Sequence, residues 1–87
     1  MSNNAHKLTL PDNQRQALVN AIVLISREEV ERITGMSRAW IYQAMSENRF
    51  PRPVICSVGS RRWLLSEIQM WVLEKINERD MLATSRA

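Results

Sequence analysis

A single cysteine among 87 residues excludes an internal disulfide, and a single histidine leaves little with which to build a zinc site. No CxxC or HxxxE pattern occurs. The only glycines are Gly35 and Gly59, isolated from one another, so there is no glycine-rich loop to cradle a phosphate. The longest apolar run covers residues 21–25, far short of the roughly 20 residues a membrane helix needs. The opening MSNNAHKLTL lacks the apolar stretch and cleavage site of a signal peptide. The carboxylates gather at Glu28, Glu29 and Glu31, and at Glu74, Glu78 and Asp80, where helix caps and charged faces account for them. Neither an enzyme nor a cofactor is expected. The lone Cys56 fits a reducing cytoplasm and reads as a small buried hydrophobe in a strand. The expected setting is therefore soluble and cytoplasmic.

What is present is unevenly distributed charge. Residues 35–63 carry five arginines (Arg38, Arg49, Arg52, Arg61, Arg62) against one acid, Glu47, a local net of +4. The remainder carries seven basic and eight acidic residues, so the whole formal charge of +3 resides in one third of the chain. Apolar residues make up 45%, enough for a folded domain. A folded basic segment of this kind implies a surface for a polyanion, with nucleic acid the leading candidate.

The expected organisation is a mobile tail over 1–10, one domain over 11–82 with its core at 24–79, and a frayed end over 83–87. Pro11-Asp12 starts a short helix through Asn20, and Val23-Leu24-Ile25 is a short strand or lead-in. Ser26-Arg27-Glu28-Glu29 is a capping box with Ile25 and Val30 as its hydrophobic staple, and Gly35 is a left-handed stop two turns later. Ser37 caps the next helix after a tight turn, the spacing of a helix-turn-helix. On a wheel of residues 37–48, Trp40, Ile41, Ala44, Met45 and Asn48 fall inward. Ala39, Tyr42, Gln43 and Ser46 fall outward, with Arg38 and Glu47 at the borders. Pro51 and Pro53 forbid continuation. Two runs, Val54-Ile55-Cys56 and Arg62-Trp63-Leu64, form a hairpin wing turning at Gly59-Ser60, with Arg61 at the tip and Trp63 anchoring it. Ser66-Glu67-Ile68-Gln69 is a second capping box, opening a helix from Glu67 to about Arg79 or Leu82.

This pattern is a mainly helical winged helix-turn-helix, with the helix over 37–48 suited to the major groove and the wing over 54–64 to the neighbouring backbone or minor groove. Ser37 could present backbone N–H groups to a phosphate, and Gln43 could read adenine. Arg38 could take a phosphate or a guanine, and Tyr42 a phosphate or a thymine methyl. Ala39 shares their face. Arg61 and Arg62 would reach across the backbone or into the adjacent minor groove, and Arg49 and Arg52 would contact phosphates, which give affinity and register rather than sequence choice. Trp40, Trp63 and Trp71 read as core.

The signatures LISREEVERITGMSRAWIYQAM, RFPRPV, GSRRW and SEIQMWV resemble the AlpA-type prophage regulators, relatives of MerR-like and excisionase-like winged helix-turn-helix proteins. The resemblance covers residues 24–79. It implies a bacterial, sequence-specific regulator of double-stranded DNA in a prophage, with contacts on Ser37, Arg38, Tyr42, Gln43, Arg61 and Arg62. Gln43 stands where Arg or Lys is commoner in that family, and Trp40 where a small polar residue is usual. The nearest alternative is an excisionase that bends DNA beside an integrase. A second is a protein-interaction adaptor using Trp40 with Leu18, Val19 and Ile22. A homodimer through residues 11–22 is a further expectation.

Overall fold

The computed structural model describes residues 10–86, with the order α1 (Asp12–Ala21), β1 (Leu24–Ile25), α2 (Arg27–Thr34), α3 (Arg38–Ser46), β2 (Val54–Ser57), β3 (Ser60–Leu64) and α4 (Leu65–Arg86). The expected tail, Leu10 excepted, lies outside the described residues, as does His6.

Helix α2 shows how local chemistry sets the boundaries. The Ser26 hydroxyl accepts from the Glu29 N–H at 3.2 Å, so half of the capping box forms. The other half does not: both Glu29 carboxylate oxygens take the Arg32 guanidinium instead. That pairing holds the Glu29 carboxyl below its ordinary pKa. The helix ends at Gly35, whose φ of 74° is left-handed and whose N–H donates to Glu31 O at 2.7 Å. The Thr34 hydroxyl tightens the exit, donating to Val30 O and accepting from the Met36 N–H. Space around Gly35 is open, so a methyl group there meets no neighbour. Gly35→Ala should therefore cost about 1–2 kcal/mol through backbone strain alone. Urea unfolding would show it as a lower midpoint with an unchanged slope.

Helix α3 starts as expected, with the Ser37 hydroxyl accepting from the Trp40 N–H at 3.1 Å. It stops two residues early. Glu47 is its C-cap, and its N–H is shared between the carbonyls of Gln43 and Ala44. Asn48 follows with φ 59°, a conformation asparagine tolerates better than most residues. That reversal turns Asn48 out to solvent rather than onto the apolar side, and its side-chain oxygen accepts from Arg52 at 2.9 Å.

The link to the wing has two prolines and no regular structure, and indole N–H groups take its carbonyls. Trp71 Nε1 donates to Arg49 O at 3.2 Å and Trp63 Nε1 donates to Pro51 O at 3.0 Å. Arg52 ties the link to α3 through Met45 O at 3.1 Å. The three strands are antiparallel in the order β1-β3-β2, with Leu24 opposite Leu64 and Ile25 opposite Trp63.

The wing differs from expectation at its tip. Ser57 pairs with Ser60 while Ile55 pairs with Arg61, so the register slips by one at Cys56. This bulge moves the turn to Val58-Gly59, with Gly59 at φ 76°, and leaves Arg61 one residue inside the tip. β2 is an edge strand, exposed throughout, so Cys56 is not a buried hydrophobe. Trp63 is fully buried, as its alternation with Arg62 requires.

Strand β3 passes into α4 without a loop. The Leu65 N–H donates to Val23 O at 2.8 Å, so the chain entering β1 satisfies the helix start. Ser66 consequently lies inside the first turn, and the second capping box is not used as a cap. The α4 backbone is helical to Arg86, past the expected end at Arg79 or Leu82.

Val30, Ile41, Ala44, Met45, Phe50, Trp63 and Ile68 form one core, to which α2, α3, the link, β3 and α4 each contribute. Trp40 and Trp71 pack edge to face against the core residue Phe50 and against each other at centroid separations of 5.0–6.0 Å. The chain extends 55 × 33 × 21 Å with a radius of gyration of 16.8 Å, against about 12 Å for a compact domain of this length. The excess comes from α1, which buries none of its residues, and from α4, which is exposed from Leu73 to Ala83.

Candidate nucleic-acid interface

The basic residues of the helix and of the wing converge on one aromatic ring. Tyr42, expected on the outer side of α3, is half-buried and packs against the core. The Arg38 guanidinium lies 5.9 Å from its ring centroid and the Arg61 guanidinium 6.0 Å. These are long cation–π contacts, each worth about 0.5 kcal/mol at an exposed site, and their chief effect is to bring two cations from different elements together. Arg62 follows Arg61 along the strand and donates to its carbonyl at 2.8 Å. A groove between α3 and the wing is lined by Arg38, Tyr42, Gly59, Arg61 and Arg62.

Arg27 and Glu28, at the start of α2, line the same groove and were not picked out by the sequence. Arg27 donates to Glu31 at 2.9 Å and to Glu28 at 3.0 Å, so its charge is largely neutralised at the groove edge. The Glu31 hydrogen bond, followed by the charges of Glu28 and Glu31, raises its pKa further above the ordinary arginine value.

The two helix starts differ electrically. Glu28 and Glu29 occupy the first turn of α2 and offset its positive dipole end, whereas the first turn of α3 contains no acid and begins with Arg38. The α3 start therefore stays positive beside the groove that Arg38 lines. Ser37 holds that geometry. Ser37→Ala should lower stability by about 1 kcal/mol and weaken anion binding at this end. Urea unfolding compared with duplex titration would separate the two effects.

Not every expected site residue reaches this groove. Ala39 is exposed on α3. Gln43 is exposed too, but its side-chain amide donates to Glu47 at 2.7 Å. Arg49 donates to the other Glu47 oxygen at 2.7 Å and stands 5.5 Å from the Trp40 ring centroid. The Gln43 bond and then Arg49 hold the Glu47 carboxyl below its ordinary pKa. Arg52 is committed to Met45 O and Asn48. Arg49 and Arg52 line a different hollow, against Trp71 and Lys75 on α4. Both arginines thus secure the end of α3 and the link that follows.

Two helices joined through Gly35-Met36-Ser37, a β-wing and a closing helix define a winged helix-turn-helix. The sequence model of the family described as "Prophage CP4-57 regulatory protein (AlpA)" matches residues 23–76, and the chain belongs to that family of prophage regulatory proteins. The matched span contains all of α2, α3 and the wing, whereas α1 lies outside it. None of the curated proteins and none of the solved structures matches the chain at a significant level. No described helix is long and apolar enough to cross a membrane.

Proposed function

We propose that the protein binds duplex DNA sequence-specifically and regulates a gene of a prophage or other mobile element. Helix α3 enters the major groove, and Arg61 and Arg62 of the wing grip the neighbouring backbone or minor groove. The observation that carries this reading is the meeting of Arg38 and Arg61 over Tyr42, beside a helix start that no acid offsets. Membership of a prophage regulatory family supports it independently. On this reading Ser37, Arg38, Arg61 and Arg62 set register and affinity through phosphates, while Tyr42 and Gln43 face the bases across the short side chain of Ala39.

A fluorescence titration of a duplex against the full chain at rising salt tests the electrostatic part. Three arginine–phosphate contacts give a log–log slope of about −3, since each contact contributes about −0.9. A slope near zero would remove the phosphate clamp and with it this orientation of the fold on DNA.

A further inference from the structure

Glu47 is the one acid in the basic third of the chain, and it sits at the end of the helix proposed to read DNA. A free carboxylate there would repel phosphates. Here it is held on both sides. One oxygen accepts from the Gln43 amide at 2.7 Å and the other from Arg49 at 2.7 Å. Arg49 is fixed in turn, its guanidinium over Trp40 and its backbone carbonyl accepting from Trp71 Nε1. A continuous set of contacts therefore runs from the aromatic cluster to the outer face of α3.

The chemistry of the acceptor settles which way Gln43 points. A carboxylate can only accept, so the amide nitrogen must face Glu47. One N–H is used there. The second N–H and the amide oxygen remain, and that pair matches adenine, whose N7 accepts and whose N6 donates. We propose that Glu47, braced by Arg49, is a positioning residue that fixes the Gln43 amide for bidentate reading of an adenine. The inference rests on the DNA-binding reading above and adds to it two residues, one of them acidic, that select sequence without touching a base.

The test is selection of binding sites from a random duplex library with the full chain, comparing wild type, Gln43→Ala, Glu47→Ala, Glu47→Gln, Arg49→Ala and the Gln43→Ala/Glu47→Ala double variant. Wild type should prefer adenine at one position. Gln43→Ala should lose that preference, Glu47→Ala should cut it about tenfold at the same position, and the double variant should be no worse than Gln43→Ala. Glu47→Gln keeps an oxygen that can accept from Gln43 and should retain most of the preference. Arg49→Ala should lose part of it. Glu47 is exposed, so its replacement leaves the core intact, and circular dichroism would verify the fold of each variant. If Glu47→Ala keeps the preference and only binds all sequences more tightly, the positioning role is wrong while the DNA-binding reading stands. If Gln43→Ala selects the wild-type motif, Gln43 is not the reader and the inference falls. If wild type enriches no motif, sequence-specific reading itself fails.

Discussion

Replacing Trp63 with alanine should leave the protein largely unfolded at room temperature. Trp63 is fully buried and belongs to a core drawn from every element except α1, β1 and β2. Its indole N–H also holds Pro51 O, one of the few fixed points of the link between α3 and the wing. Truncating a buried tryptophan costs about 3–5 kcal/mol. A domain this small has a total stability near the lower end of about 5–15 kcal/mol. Far-UV circular dichroism with urea would show the cooperative transition abolished or moved to very low denaturant. Trp63→Phe, which removes the hydrogen bond and part of the volume, should be milder and keep a transition. A Trp63→Ala protein with a wild-type midpoint would mean that the wing is held by something other than this side chain.

The second large effect concerns binding with stability unchanged. Arg61 and Arg62 are exposed strand residues, and neither belongs to the core. Changing both to alanine should leave stability within about 0.5 kcal/mol of wild type in urea unfolding. It should weaken binding to every duplex and reduce the magnitude of the salt slope by about 2, because two phosphates are no longer neutralised. Sequence preference should persist, because the proposed base-reading groups remain on α3. An unchanged slope would take the wing off the DNA and leave α3 to act alone.

The architecture was largely legible because short-range signals coincide with long-range ones. Ser26, Gly35 and Ser37 bound two helices by local hydrogen bonds and a left-handed turn, and the apolar positions Val30, Ile41, Ala44 and Met45 agree with those bounds. The misreadings mostly occur where another contact overrides a local pattern. Ser66 has the spacing of a cap, yet the helix already begins at Leu65, one residue before it. Glu29 could complete its box, but Arg32 is one turn away and charged. Asn48 fits the apolar side of an ideal wheel only if the helix continues, and it does not. The bulge at Cys56 has no sequence signature beyond a lone glycine two residues outside the strand. It moves the wing tip by one residue, while Cys56 is exposed because the whole edge strand is.

The candidate site was legible as a set of residue types and less so as an arrangement. The excess of arginine over acid marked residues 35–63, and Arg38, Tyr42, Arg61 and Arg62 do come together. Counting charge could not tell a free arginine from one already committed. Arg49 and Arg52 contribute to the same excess, but the first is paired with Glu47 and the second ties down Met45 O and Asn48. Arg27 shows the converse, since its position beside the groove depends on how α2 packs against β3. Helix α1 and the residue after it add an exposed apolar row of Leu18, Val19 and Ile22 outside the matched family region.

The measurement that bears most directly on the central claim is a pull-down of sheared genomic DNA from the source organism with the purified full chain, followed by sequencing. The expected result is a sharp enriched peak upstream of a gene, absent for Arg61→Ala/Arg62→Ala. Clustered peaks at the end of an integrated element would keep the DNA-binding surface but change the role to that of an excisionase. Enrichment no greater than that of the wing variant would contradict specific DNA binding by this fold.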